Sequence, residues 1–170
     1  IEPVFVLGID PGLSRCGYGV VEQSGRKAEA VAIGVIRTPA KAPTAERLAW
    51  IHDEFVKLVE EHEPDVVAIE RVFFQVNART AMGVAQVSGL AMAIGHSAGA
   101  EVVDYTPNQV KDAVAGWGGA NKEQMQRMVQ SLLRLPELPS PPDAADAAAV
   151  ALCHLAHRAT RQLAKSSKLS

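Results

Sequence analysis

Apolar and polar positions along the chain switch between two periods. Val4–Asp10, "VFVLGID", is an apolar run closed by Pro11-Gly12, the pattern of a buried strand. Gly17–Glu22 and Ala28–Arg37 predict two more strands, and the short links between the three favour hairpins. Thr44–Glu61 changes to a helical period, with Leu48, Ile51, Phe55, Leu58 and Val59 on one stripe, and Pro64-Asp65 ends it. Val66–Glu70, "VVAIE", predicts a fourth buried strand and Glu101–Tyr105 a fifth. Between them, Ala78–Ala98 predicts a long helix of mostly small residues. Its Ala81, Ala85, Gly89 and Ala93 recur every four positions, a face that lets another backbone approach closely.

Three helix starts follow. Thr106-Pro107-Asn108-Gln109 is a capping box with proline at the first helical position, and Asn121-Lys122-Glu123-Gln124 is a similar start. Ser140-Pro141-Pro142-Asp143 opens an alanine-rich helix expected to reach about Leu163. The order of elements gives an α/β layer built on a mixed sheet. No repeat or linker divides the chain, so residues 1–163 are read as one domain and 164–170 as a flexible tail.

Composition narrows the class. A length of 170 residues suits a single core, and 48% hydrophobic with 21% charged residues is ordinary for a folded soluble protein. No apolar run has membrane-spanning length, because Arg79, Gln86 and His96 interrupt the longest one. Cys16 and Cys153 have no metal-ligand spacing and are too few for a disulfide framework, so both are expected as free thiols in the cytoplasm. A net charge of −2 argues against a uniformly basic coat but leaves room for a local basic face.

Four acids stand out by context. Asp10 ends the first strand and Glu70 the fourth, while Asp143 and Asp146 lie one turn apart at the start of the last helix. Each has an ordinary reading: Asp10 as a turn residue, Glu70 paired to Arg71, Asp143 as a first-turn helix acid. Asp146, amid alanines, has none. If the two strands are neighbours and the helix packs beside them, the carboxylates converge and need a counter-charge. Hard divalent cations supply it, and a pair of them supports phosphodiester hydrolysis.

Four separated stretches carry a family resemblance: "LGIDPGLSRCGYGV", "VVAIERVFFQVNARTAMGVAQVSGL", "YTPNQVKDAVAGWGGANKEQMQRMV" and "PPDAADAAAVALCHL". Together, over roughly Val4 to His157, they closely resemble the RuvC Holliday-junction resolvases. The resemblance implies an RNase H-like fold with a central five-stranded mixed sheet flanked by helices. It implies a homodimer that cuts four-way DNA junctions with Mg²⁺ or Mn²⁺, two ions per site, leaving 5′-phosphate and 3′-hydroxyl ends. It places the catalytic, metal-binding acids on Asp10, Glu70, Asp143 and Asp146, and it suggests a RuvA–RuvB branch-migration complex as partner.

The same resemblance gives Phe73 a base-wedging role, with Phe74 read as core. Asn77, Arg79 and Thr80 become donors to the DNA backbone, or else simply the start of a helix. Lys111 and Lys122 become DNA-binding lysines, Lys122 also catalytic. Arg127, Arg134, Arg158, Arg161, Lys165 and Lys168 extend a basic surface or face solvent. Without the four acids the rest of the chain carries +2. His154 and His157 are expected on the surface near the end of the last helix.

Two other functions compete. "GIDPG" also fits the phosphate turn of actin-like ATPases and sugar kinases, which need two related lobes. A junction-binding module without activity would keep Phe73 and the lysines but lose carboxylates, and all four acids are present here.

Overall fold

The computed structural model describes residues 2–71 and 78–168. Five strands form one sheet: β1 (Val4–Asp10), β2 (Arg15–Ser24), β3 (Lys27–Arg37), β4 (Val66–Glu70) and β5 (Glu101–Tyr105), in the order β3-β2-β1-β4-β5. The first three are an antiparallel meander; β4 and β5 run parallel to β1. The helices are α1 (Thr44–His62), α2 (Ala78–Ser97), α3 (Pro107–Ala115), α4 (Lys122–Leu132) and α5 (Pro142–Ser167).

Strand alternation sorts the core into two layers. Leu7, Ile9, Val67 and Ile69 face a cluster with Ile51 and Phe55 of α1 and Val87 and Ala91 of α2. Val6, Val66 and Ala68 face the other cluster, which holds the α5 alanines together with Val110, Met125 and Val129. Asp10 continues the parity of Val6 and Gly8, and Glu70 that of Val66 and Ala68, so both acids turn toward the α5 face. Ile9 pairs with Ile69, so Asp10 and Glu70 close adjacent parallel strands at the same end of the sheet.

The α5 helix lies unusually close to the sheet. A β-carbon on Gly8 would collide with the Ala147 carbonyl oxygen and come within 2.8 Å of the Ala151 nitrogen; one on Gly17 would collide with the Asp143 carbonyl oxygen. Alanines on the helix side, with Ala144, Ala147, Ala148 and Ala151 fully buried, complete the fit. This close approach fixes the first turn of α5, and with it Asp143 and Asp146, against β1 and β2.

Both capping boxes form as the sequence predicts: Gln109 N donates to Thr106 Oγ1 (3.1 Å) and Gln124 N to Asn121 Oδ1 (2.8 Å). Three expectations about α5 need correction. Ser140 does not cap it; the N-cap is Pro141, with no side-chain cap bond. The helix runs to Ser167, four residues beyond Leu163, so the start of the expected tail is helical. His154 is not a surface residue: it is 3% exposed, and its Nδ1 lies 2.7 Å from the Tyr105 hydroxyl. The helix continues well past it, so position 154 falls in the packed half of α5 rather than at its end. Along α2, Ala81 is buried whereas Gly89 and Ala93 are exposed, so the small-residue stripe leaves the core toward its C-terminal end.

Candidate active site

Strand ends and a helix start meet at one cleft. Asp10, Glu70, Asp143 and Asp146 line it together with Lys111 from α3 and Lys122 from the first turn of α4, around a volume of about 500 Å³. One carboxylate oxygen from each of Asp10, Asp143 and Asp146 lies within 4.8 Å of the other two. Glu70 lines the same cleft but stands outside that triplet. Three hard oxygen donors at this spacing suit a divalent cation of the Mg²⁺ class, which takes few protein carboxylates and keeps water in its remaining positions.

The electrostatics agree. Burial, then Glu70, Asp146 and Asp143 in that order, push the Asp10 carboxyl up to about 8, against a partial opposing pull from Lys122. Burial and the charge of Asp146 push Glu70 up to about 7, with Lys111 and Lys122 pulling the other way. Asp146 is raised by burial first, with Lys122 opposing and Asp143 reinforcing. Carboxylates held this way bind a cation in exchange for protons. Glu70 is not neutralised by its neighbour: Arg71 makes a two-pronged contact with Asp104 instead, at 3.0 and 3.1 Å.

A second groove, of about 1050 Å³, leads away from the acids. Asp10, Asp143 and Lys122 line it as well as the first cleft, together with Ser14, Arg15, Arg47, Arg79 and Thr80. The structure thus brings Arg79 and Thr80 beside the acidic site. Phe73, Phe74 and Asn77 lie outside the described residues. Sequence reasoning passed over Arg15 and Arg47. Arg15 Nε lies 3.3 Å from Asp143 Oδ2, and Arg47 donates to Thr38 Oγ1 (2.9 Å) and Ser14 Oγ (2.7 Å). The available signal for Arg15 was its place two residues before Gly17 on the same strand, which puts both on the face that meets α5.

The family model for RuvC, crossover junction endodeoxyribonuclease, matches residues 6–154. The chain belongs to the RuvC family. The Thermomicrobium roseum RuvC crossover junction endodeoxyribonuclease is 49% identical over 131 residues, covering 77% of this chain and 80% of that one. The Thermus thermophilus RuvC structure superposes with a TM-score of 0.85 at 37% identity, covering 92% of this chain and 96% of the other. T. thermophilus RuvC in complex with Holliday junction substrate gives 0.86 at the same identity, covering 91% and 94%. The fold of this RuvC-family nuclease is RNase H-like, as its sequence resemblance implied. The actin-like alternative needs a second lobe, and the described residues form a single five-stranded sheet. No helix of the described residues is long and apolar enough to cross a membrane.

Proposed function

We propose that this chain resolves four-way DNA junctions in recombination and repair, as a homodimer that nicks two opposed strands symmetrically. The observation that carries the reading is the triplet of Asp10, Asp143 and Asp146 oxygens in a cleft rimmed by Lys111 and Lys122. Asp10, Glu70, Asp143 and Asp146 would hold two divalent cations, Mg²⁺ or Mn²⁺. Such ions lower the pKa of an attacking water and neutralise charge building on the phosphate.

The protein's own groups do the rest. Lys122 steadies the attacking side and, with Lys111, draws the phosphodiester into the cleft. Attack in line breaks the bond from phosphorus to O3′, leaving a 5′-phosphate and a 3′-hydroxyl. Arg79 and Thr80 grip the strand along the groove, with Asn77 as a further backbone donor and Phe73 as the wedge between unpaired bases. The exposed small-residue end of α2 meets its equivalent in the second subunit, and the two-fold axis so formed matches the near-symmetry of a junction. The elements from Val4 to the end of α5 at Ser167 act as one nuclease domain in the cytoplasm, where buried free thiols at Cys16 and Cys153 are at home. A RuvA–RuvB branch-migration complex is the natural partner.

The test incubates purified protein with a synthetic four-way junction or a linear duplex of the same sequence, with Mg²⁺, Mn²⁺ or a chelator. The expected result is paired nicks on the junction alone, and only with a divalent cation. Equal cutting of linear duplex, or cutting in chelator, contradicts the reading.

A further inference from the structure

Asp143 is claimed from two sides. One of its oxygens belongs to the triplet with Asp10 and Asp146, and its Oδ2 lies 3.3 Å from Arg15 Nε. A guanidinium and a divalent cation compete for the same carboxylate charge.

The place of Arg15 is not explained by stability. Its side chain is 57% exposed, and an ion pair that open to water contributes little to folding. Nor does the sheet hold it elsewhere: its register partner on β3 is Arg37, a like charge on the same face. Arg15 stands in the wall of the groove that Asp10 and Asp143 also line. Arg47, in the same wall, is anchored by Ser14 and Thr38, whereas Arg15 pairs, among the described residues, with Asp143 alone. Because Gly17 seats the Asp143 backbone directly on β2, Arg15 acts on the carboxylate of a residue whose main chain is already fixed.

We infer that Arg15 is a positioning residue that exchanges partners: it holds the Asp143 carboxylate in the free protein and moves to a backbone phosphate when the strand enters. The inference rests on the reading that the acidic triplet takes a divalent cation. Free protein then carries a built-in competitor against cation binding, and DNA removes it. Cation and junction bind cooperatively as a result, since each relieves the other of Arg15.

The test compares wild type, Arg15→Gln, Arg15→Lys and Arg47→Gln, each first checked for an unchanged melting temperature. Mn²⁺ is titrated calorimetrically into DNA-free protein, and junction affinity is measured without divalent cation across a range of salt. Arg15→Gln should bind Mn²⁺ about threefold tighter or more than wild type. It should bind the junction about tenfold more weakly, with a salt slope smaller by about one. Arg47→Gln, which removes an equal charge from the same groove, should weaken the junction without matching the gain in Mn²⁺ affinity. Arg15→Lys should retain most of the junction affinity and salt slope.

Unchanged Mn²⁺ affinity in Arg15→Gln, or the same gain in Arg47→Gln, overturns the hold on Asp143. Unchanged junction affinity and salt slope overturn the exchange. If wild type takes no Mn²⁺ at all, the cation reading itself fails, and the inference with it.

Discussion

Gly17 lies directly under Asp143: no β-carbon fits between the strand and the carbonyl oxygen of that residue. The absence of a side chain on β2 therefore determines where a carboxylate on α5 sits. Gly17→Ala should lift the first turn of α5, with an overpacking cost of about 1–3 kcal/mol. For a chain of this length that corresponds to a loss of roughly 2–12 °C in melting temperature. Cleavage should fall further than stability implies, by about 100-fold at a temperature where the variant is fully folded, because Asp143 would move relative to Asp10. Melting curves and single-turnover cleavage on the same preparation check it.

The acidic cluster predicts an inverted pH dependence for the cation-free protein. The Asp10 carboxyl stands at about 8 in the fold against an ordinary 3.8. A group raised in this way contributes fully below its ordinary value, and that contribution is lost as pH rises through its folded value. Cation-free protein should therefore lose stability between about pH 4 and about pH 8 through this cluster. Asp10→Asn should flatten the slope, and saturating Mg²⁺ should remove it. Thermal melting in chelator across that range, with and without added cation, is the measurement.

Lys122 opposes the upward shift of Asp10, Glu70 and Asp146. Lys122→Met should raise all three further, so that cation binding needs a higher pH. Cleavage should fall about 100-fold at neutral pH and recover in part as pH rises. A pH series of Mn²⁺ titrations alongside cleavage rates reads both effects.

His154 works in the opposite direction. Burial first, and then the nearby Arg161, Arg158 and His157, lower its pKa from the ordinary 6.5, with Glu101 alone pulling it up. A base lowered in the fold binds more protons when unfolded, so its contribution is present above about 6.5 and is lost as pH falls through the folded value. His154→Asn keeps a side chain able to bond the Tyr105 hydroxyl but cannot titrate. It should lose less stability than wild type as pH falls below about 6.5. Differential melting of the two proteins checks the sign.

The strands, the helix order and the four acids were legible because each rests on local pattern: period, breaker residues and a carboxylate at a strand end. The convergence of Asp10 with Asp143 and Asp146 was legible only conditionally, since it depended on β1 lying beside β4 and α5 crossing them. The roles of Gly8 and Gly17 were hidden because a strand glycine looks alike whether it marks a turn or a helix contact. His154 was misplaced because an alanine-rich helix gives little periodicity, and its length was underestimated by four residues. Arg47 was missed because a surface arginine has no distinguishing sequence context, and the one signal for Arg15, its parity with Gly17, has meaning only once Gly17 is known to meet α5. Glu70 shows the converse: the strand-end pattern put it in one cleft with the other three acids, while the tight triplet forms without it.

The central claim is that the Asp10–Asp143–Asp146 cluster cuts the DNA and the basic groove holds it. Its most direct test measures junction binding and single-turnover cleavage in parallel for wild type, Asp10→Asn and Asp146→Asn in Mg²⁺. Both variants should bind the four-way junction at least as tightly as wild type, having each lost a negative charge, while cleaving about 1000-fold more slowly or not at all. Wild-type cleavage by either variant, or loss of junction binding in step with loss of cleavage, would contradict the account.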